Sequence, residues 1–177
     1  MNILIVAATN FEVVSEKISK RNILITGVGM VNTAIKMTDA LVKKHYDLVI
    51  NIGVAGSFSA ELKVGDVVEV IEDNFSEVGF ETGLGFSKFK SFELQTKYLN
   101  KSRTSLKKVK GITVNTVHGN HNTICDIIKR ENPDIESMEG ASVFKVCEEL
   151  NIPCIQVRSI SNKVESRNKL NWDLDLA

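Results

Sequence analysis

Two short and nearly continuous apolar runs, Ile3-Leu4-Ile5-Val6-Ala7-Ala8 and Leu48-Val49-Ile50-Asn51-Ile52, constrain the fold of this 177-residue chain most. Runs of this length without polar alternation are expected of strands covered on both faces, as in a parallel sheet. Ile23-Leu24-Ile25 reads as a further strand that ends at Gly27-Val28-Gly29. Val31, Ala34, Ile35, Thr38, Leu41 and Val42 then recur at helical spacing and predict a helix to about Lys44. The run from Leu48 is closed by Gly53-Val54-Ala55-Gly56. Val64 to Ile71 and Ile112 to Val117 read as strands, and Ile124, Ile127 and Ile128 mark a short helix that stops before Pro133. A helix from Glu139 to Leu150 and a strand from Ile152 to Ser161 complete the pattern.

Between Glu72 and Lys110 the signal weakens, and Gly79, Gly83 and Gly85 among scattered aromatics predict a long loop with short strands. No repeat or Pro/Ser-rich linker divides the chain. The expected architecture is therefore α/β, one domain over residues 1–177. It has three layers, with a central, mostly parallel, twisted mixed sheet flanked by helices.

Lys+Arg and Asp+Glu both number 22, so the formal net charge is zero. That balance disfavours broad electrostatic binding to nucleic acid or to an anionic membrane, and it favours a small, neutral or mildly charged ligand. The apolar runs are too short to span a bilayer, and the N-terminus lacks the basic stretch of a signal peptide. Cys125, Cys147 and Cys154 are odd in number and without CxxC spacing, which reads as reduced thiols in a cytoplasmic protein.

Four places have chemistry to offer, and each has a plainer reading. Gly27-Val28-Gly29 lies between a strand and a helix, where backbone N–H groups can receive an anion or a ribose oxygen. Asn32 stands where a dinucleotide fingerprint needs its third glycine, so a simple tight turn is as good a reading. Glu12 follows the first strand, at the end of a sheet where ligand crevices open, but it also suits a solvated helix start. Glu139 sits at a strand-to-helix junction, where the helix dipole alone would favour an acid and where a carboxylate can also hold a diol. Asn162 follows Arg158-Ser159-Ile160-Ser161 at the expected end of the last strand, a place asparagine often takes as a turn residue. His118 and His121 lack partners at ligand spacing, so no metal site is expected and rim positions suit them better than catalysis.

Taken in order, Gly27 to Ala34, Asn51 to Gly56, Gly65-Asp66-Val67-Val68, Met138-Glu139-Gly140-Ala141 and Arg158-Ser159-Ile160-Ser161 resemble the nucleoside phosphorylase and nucleosidase superfamily. The resemblance spans nearly the whole chain. Nothing matches the Gly-Asp-Pro…Arg phosphate loop of the phosphorolytic members, and Glu12 stands where the hydrolytic members place a glutamate. The resemblance implies water as the nucleophile and Glu12 as its general base. It further implies that Glu139 holds the ribose hydroxyls beside Met138, and that Val54, Ala55, Gly56, Val117 and Ser161 bind substrate. Arg158 is implied to steady the acidic cluster.

Methylthioadenosine/S-adenosylhomocysteine nucleosidases have aspartate where Asn162 stands. An amide there can donate to a 6-oxo group and accept the proton on N7, which matches hypoxanthine and mismatches adenine. Asparagine at this place is similar to the futalosine hydrolase family. So are Val114 to Val117, Glu136 to Gly140, and the later Arg167-Asn168 and Asn171-Trp172. The family implies release of hypoxanthine from futalosine in a menaquinone pathway, no metal or organic cofactor, and a homodimer or larger homo-oligomer. Its members continue into a C-terminal helix beyond the position of Ala177, and members of the methylthioadenosine branch often carry a serine where Val54 stands. A methylthioadenosine/S-adenosylhomocysteine nucleosidase and a non-catalytic nucleoside-binding protein remain the alternatives.

Overall fold

The computed structural model describes residues 1–13, 22–83, 85–89, 92, 94–166, 173, 174, 176 and 177. Arg167, Asn168, Asn171 and Trp172 lie outside the described residues. The strands in chain order are β1 (Ile3–Ala7), β2 (Asn22–Ile25), β3 (Leu48–Asn51), β4 (Val54–Ser57), β5 (Val67–Asn74), β6 (Phe80–Thr82), β7 (Gly85–Ser87), β8 (Lys97–Leu99), β9 (Lys107–Thr113), β10 (Ile135–Ser137) and β11 (Cys154–Lys163). The helices are α1 (Met30–Lys43), α2 (His121–Glu131) and α3 (Gly140–Glu149).

Among the described residues, nine strands form one mixed sheet in the order β2-β1-β3-β11-β4-β10-β9-β5-β8, and β6 and β7 pair as a separate hairpin. Strand β11 also pairs antiparallel with β5, so β11, β4, β10, β9 and β5 close on themselves. Alternation along β9 shows how the layers are filled. Val109 joins the large core beneath α1 and α3, whereas Ile112 and Val114 form a second cluster with Ile127 of α2 on the other face. Helices therefore cover both faces, as the apolar runs require. Helix α1 buries Thr33, Met37 and Leu41, a stripe at i, i+4, i+8. Asn120 caps α2 by accepting from the Asn122 N–H at 2.9 Å, and left-handed Asn132 ends that helix before Pro133.

The departures from the sequence pattern are local. Val54 to Ser57, expected as a closing turn, is a buried strand between β11 and β10. Strand β5 begins and ends three residues later than expected, and β9 spans Lys107–Thr113 rather than 112 to 117. The weakly patterned region forms β6, β7 and β8, with the following segment tied down by a buried carboxylate rather than by apolar packing. Glu69 accepts from Ser102 Oγ, the Arg103 N–H and both the N–H and Oγ1 of Thr104. Burial pushes this carboxyl up, but those bonds and Lys108 outweigh it and hold it at about 2.

A buried polar chain crosses the core below α3. Gln156 Nε2 donates to Asp73 Oδ2 (3.0 Å), Arg158 Nε donates to Gln156 Oε1 (3.2 Å), and Arg158 Nη2 donates to Asn51 Oδ1 (2.6 Å). Thr113 Oγ1 donates to Asp73 Oδ1 and accepts the Ala141 N–H, so the first turn of α3 is bonded into the same chain. A Cβ on Gly140 would fall on Asp73 Oδ2 and Gln156 Oε1, so only glycine lets the helix start here.

Burial lifts the Asp73 carboxyl to about 6, against hydrogen bonds from Gln156, Thr113 and the Asn74 N–H and the nearby charge of Arg158. The native state therefore holds this proton over a window, from 3.8 to about 6, in which the unfolded chain has lost it. Stability from this group falls as pH rises through that window, by on the order of 3 kcal/mol, and is level above it. Urea unfolding of wild type and Asp73→Asn across the window should show the stability difference moving in the variant's favour as pH rises. A pH-independent difference would contradict the assignment.

Candidate active site

Strand β4 is the floor of the site, and its sequence of small residues lets side chains from four other elements reach it. At its start, Glu12 arrives from a single 3-10 turn, Asn10–Glu12, that follows β1. Its Oε2 accepts the Thr9 N–H (2.8 Å) and Thr9 Oγ1 (3.3 Å), and its Oε1 accepts the Val54 N–H at 3.4 Å. A Cβ on Gly53 would collide with both Glu12 Oε1 and Arg158 Nη1. Gly53 is thus the gap across which a half-buried carboxylate and a fully buried guanidinium approach each other.

Strand β10 runs antiparallel to β4, with Glu136 opposite Gly56, and so carries the chain on toward Val54 and Gly53. Met138 and Glu139 follow directly. Glu139 is buried and its Oε1 accepts the Gly29 N–H at 2.9 Å. The Gly27-Val28-Gly29 turn therefore receives an internal carboxylate at the start of α1, where the helix dipole favours negative charge. Glycine is required at Gly27 and Gly29, whose φ values are 83° and 96°.

Farther along β4, Asn162 faces Gly56, and it does so because β11 is bulged. Ile160 pairs with Ala55 and Asn162 with Gly56, so Ser161 is an extra residue between them. Successive residues of a strand point to opposite faces, and one inserted residue exchanges the faces. Gln156, Arg158 and Ile160 face the α3 side, whereas Asn162 is turned to the face shared by Gly56, Glu136 and Ile112. A Cβ on Gly56 would lie 3.2 Å from Asn162 Nδ2 and 3.6 Å from Glu136 Cγ. The amide is oriented by Ser161 Oγ, which donates to its Oδ1 at 2.9 Å, and by its own Nδ2 donating to the Lys163 carbonyl at 2.9 Å. Ser161 Oγ also lies 3.3 Å from the Ala55 carbonyl oxygen.

The structure thus gathers Glu12, Val54, Ala55, Gly56, Met138, Glu139, Ser161 and Asn162 along one strand. Asn162 lies inside β11 rather than beyond its end. Val117 sits apart from this line, half-buried against the Ile112, Val114 and Ile127 cluster. His118, expected at a rim, is nearly buried. Its Nδ1 lies 2.6 Å from Glu136 Oε2, and its N–H donates to Glu136 Oε1 at 3.0 Å. Glu136 is a buried glutamate between Ile135 and Ser137 that sequence reasoning did not single out. His121 is instead on α2, its Nε2 3.7 Å from Cys125 Sγ. Among the described residues no group of three His, Cys, Asp or Glu side chains is placed to hold a metal ion, and no helix is long and apolar enough to cross a membrane.

Comparison with known proteins places the fold. The chain is 28% identical to the 5'-methylthioadenosine/S-adenosylhomocysteine nucleosidase of Shewanella halifaxensis, over 92% of this chain and 77% of that protein. Among solved structures, the adenine complex of the corresponding nucleosidase from Colwellia psychrerythraea superposes with a TM-score of 0.82 at 20% identity, covering 100% of this chain and 89% of that one. The futalosine hydrolase of Helicobacter pylori superposes with a TM-score of 0.77 at 19% identity, covering 96% and 88%. A family model described as the Phosphorylase superfamily matches residues 6–175. This chain belongs to the phosphorylase superfamily.

Proposed function

We propose that this chain is a purine nucleosidase that hydrolyses the N-glycosidic bond of futalosine, releasing hypoxanthine and dehypoxanthine futalosine in menaquinone biosynthesis. The observation that carries the reading is the bulge at Ser161. It turns an amide, not a carboxyl, toward Gly56, with Glu12 at the other end of the same four-residue strand. Val54 and Gly56 are two residues apart, roughly 6–7 Å along a strand. That separation suits a base at one end and the reacting sugar carbon at the other.

In this reading the C1′–N9 bond breaks with its electron pair going to the purine, while C1′ gains oxocarbenium character. N7 takes a proton from solvent as the bond breaks, so that the base leaves neutral; Asn162 Nδ2 donates to the 6-oxo group and Oδ1 accepts from the resulting N7–H, and the proton Glu12 later takes from water returns to solvent. Because Ser161 Oγ already donates to Oδ1, that oxygen is held as the acceptor and the NH₂ as the donor. The amide is thus preorganised for the charge that develops on the leaving base. Water attacks C1′, and Glu12 takes its proton as general base. Glu139, anchored through Oε1 on the Gly29 N–H, binds the ribose hydroxyls beside Met138. Arg158 lies across Gly53 from Glu12, its charge balancing the acidic cluster.

The second reading, a methylthioadenosine/S-adenosylhomocysteine nucleosidase, is favoured by the names of the sequence relatives. It is opposed by Asn162, which has no carboxyl proton to share with adenine N7. Incubation with futalosine, inosine and methylthioadenosine in phosphate-free buffer separates the readings. Hypoxanthine from futalosine is the expected product, and adenine from methylthioadenosine as the main product would support the rival.

Two variants test the residue roles in the same assay. Glu12→Gln should lower turnover by about 100-fold or more while substrate affinity is largely kept; near-normal turnover would remove Glu12 from the mechanism. Asn162→Asp should shift preference toward 6-amino purine nucleosides by about tenfold or more. An unchanged preference would contradict the role given to the amide.

A further inference from the structure

The buried polar chain below α3 has one arrangement in which every donor meets an acceptor, and a single carboxylate decides it. Asp73 Oδ1 accepts two hydrogen bonds, from Thr113 Oγ1 (2.9 Å) and the Asn74 N–H (2.8 Å), and Oδ2 accepts one, from Gln156 Nε2 (3.0 Å). An ionised carboxylate has no hydrogen to give, so Gln156 must turn its NH₂ toward it. Its Oε1 then faces Arg158 Nε and accepts that N–H at 3.2 Å. Reversing the amide would set two donors against each other, because a guanidinium can only donate. Asp73, Gln156 and Arg158 are each at most 1% exposed, so bulk water cannot relieve such a mismatch. The guanidinium held in this way is the one whose Nη1 faces Glu12 across Gly53. Asp73 reaches the other acid of the site as well. Thr113 Oγ1, which donates to it, accepts the Ala141 N–H at 2.7 Å, in the first turn of the helix that Glu139 begins.

We infer that Asp73 is a positioning residue for the proposed hydrolysis: as a carboxylate it orients the Gln156 amide, which holds the Arg158 guanidinium toward Glu12, and its protonation releases that hold. The inference rests on the role given to Glu12 above. A proton would go to Oδ2, the oxygen with one bond rather than two. The Oδ2–H then meets the Gln156 NH₂, and an amide that reverses to accept it turns its own NH₂ on Arg158 Nε. One proton is thus passed on as a lost acceptor at the guanidinium. Burial sets the pH of this event at about 6. Each neighbouring element presents a different group to the carboxyl. Arg158 brings its charge from β11, whereas Gly111 and Thr113 of β9 and Gly140 and Ala141 of α3 carry none. Tyr98, its register partner on β8, donates its hydroxyl to the Gln95 carbonyl.

Two readouts separate the chain from its consequence. In a proton–nitrogen correlation spectrum of the wild-type protein, the Arg158 Nε–H resonance should shift as pH falls through about 6. In Asp73→Asn the oxygen keeps the two donors at Oδ1 and an NH₂ replaces Oδ2, so the resonance should stay at its low-pH position throughout. Hypoxanthine release from futalosine, followed across the same pH range, should be about tenfold or more slower in Asp73→Asn than in wild type well above that pH. Adding Gln156→Glu to Asp73→Asn supplies a carboxylate that accepts from both the introduced amide and Arg158 Nε, and it should recover most of the lost rate. Glu12 is common to all three proteins, so only a step that differs between them belongs to Asp73. A wild-type resonance that does not move near pH 6 would overturn the orienting role of the carboxylate. A resonance that moves, with equal rates in wild type and Asp73→Asn, would overturn the positioning role, as would a double variant no faster than Asp73→Asn. Near-normal turnover in Glu12→Gln would instead withdraw the reading of Glu12, and the positioning role with it.

Discussion

Strand β11 carries polar side chains toward two opposite faces of the sheet, and the extra residue at Ser161 is what separates them. Before it, Gln156 and Arg158 point beneath α3 and are consumed by the buried chain that runs from Asp73 to Asn51. After it, Asn162 is turned to the Gly56 side of the sheet, where Val164 also packs. Without the inserted residue the strict two-residue period would send Asn162 the same way as Arg158 and Ile160. One strand thus supplies both the internal bracing and the amide proposed to meet the leaving base, and a single bulge decides which residue does which.

The bracing matters because the site is assembled from charged groups held close together. Arg158 is 1% exposed and has no carboxylate directly bonded to it among the described residues; its hydrogen bonds go to the neutral side chains of Gln156 and Asn51. Compensation comes at one remove, from Asp73 through Gln156 and from Glu12 across Gly53. A buried cation balanced in this way keeps its position only if every intermediary is in place. Gly140 and Gly53 are the sites where backbone must come close enough for that to happen, and neither tolerates a Cβ. The motif glycines at these positions therefore serve packing around charge as much as turn geometry.

Most of the framework was readable from the residues because it rests on apolar periodicity. Ile3 to Ala7, Leu48 to Asn51 and the helix after Gly29 appear where the pattern puts them, but the helix buries Thr33, Met37 and Leu41, and Val31, Ile35 and Val42 of the expected apolar face are exposed. Strand β4 was not readable, since Val54-Ala55-Gly56-Ser57 has too few large apolar residues to announce burial; it is buried by its two neighbours, not by its own side chains. The Ser102 to Thr104 segment escaped notice for a related reason, being anchored by Glu69 rather than by a hydrophobic contact. Glu12, Glu139 and Asn162 were found through ordered motifs, but the bulge that aims Asn162 leaves no trace in a hydropathy pattern. Glu136 enters the sequence reading only as part of a motif and His118 only as a rim residue, because each looks ordinary alone. Only the pairing of β10 with β4 and β9 brings the glutamate beside Gly56, with the histidine of the following loop folded back onto it.

The central claim is that β4 forms the floor of one nucleoside site, with the base at Gly56 and the sugar at Val54. A crystal structure of the protein with hypoxanthine bound tests it most directly. The account predicts the base hydrogen-bonded to Asn162, with N9 turned toward Glu12 and Glu139. A base bound away from Asn162, or bound there with N9 facing away from Glu12, would contradict the account.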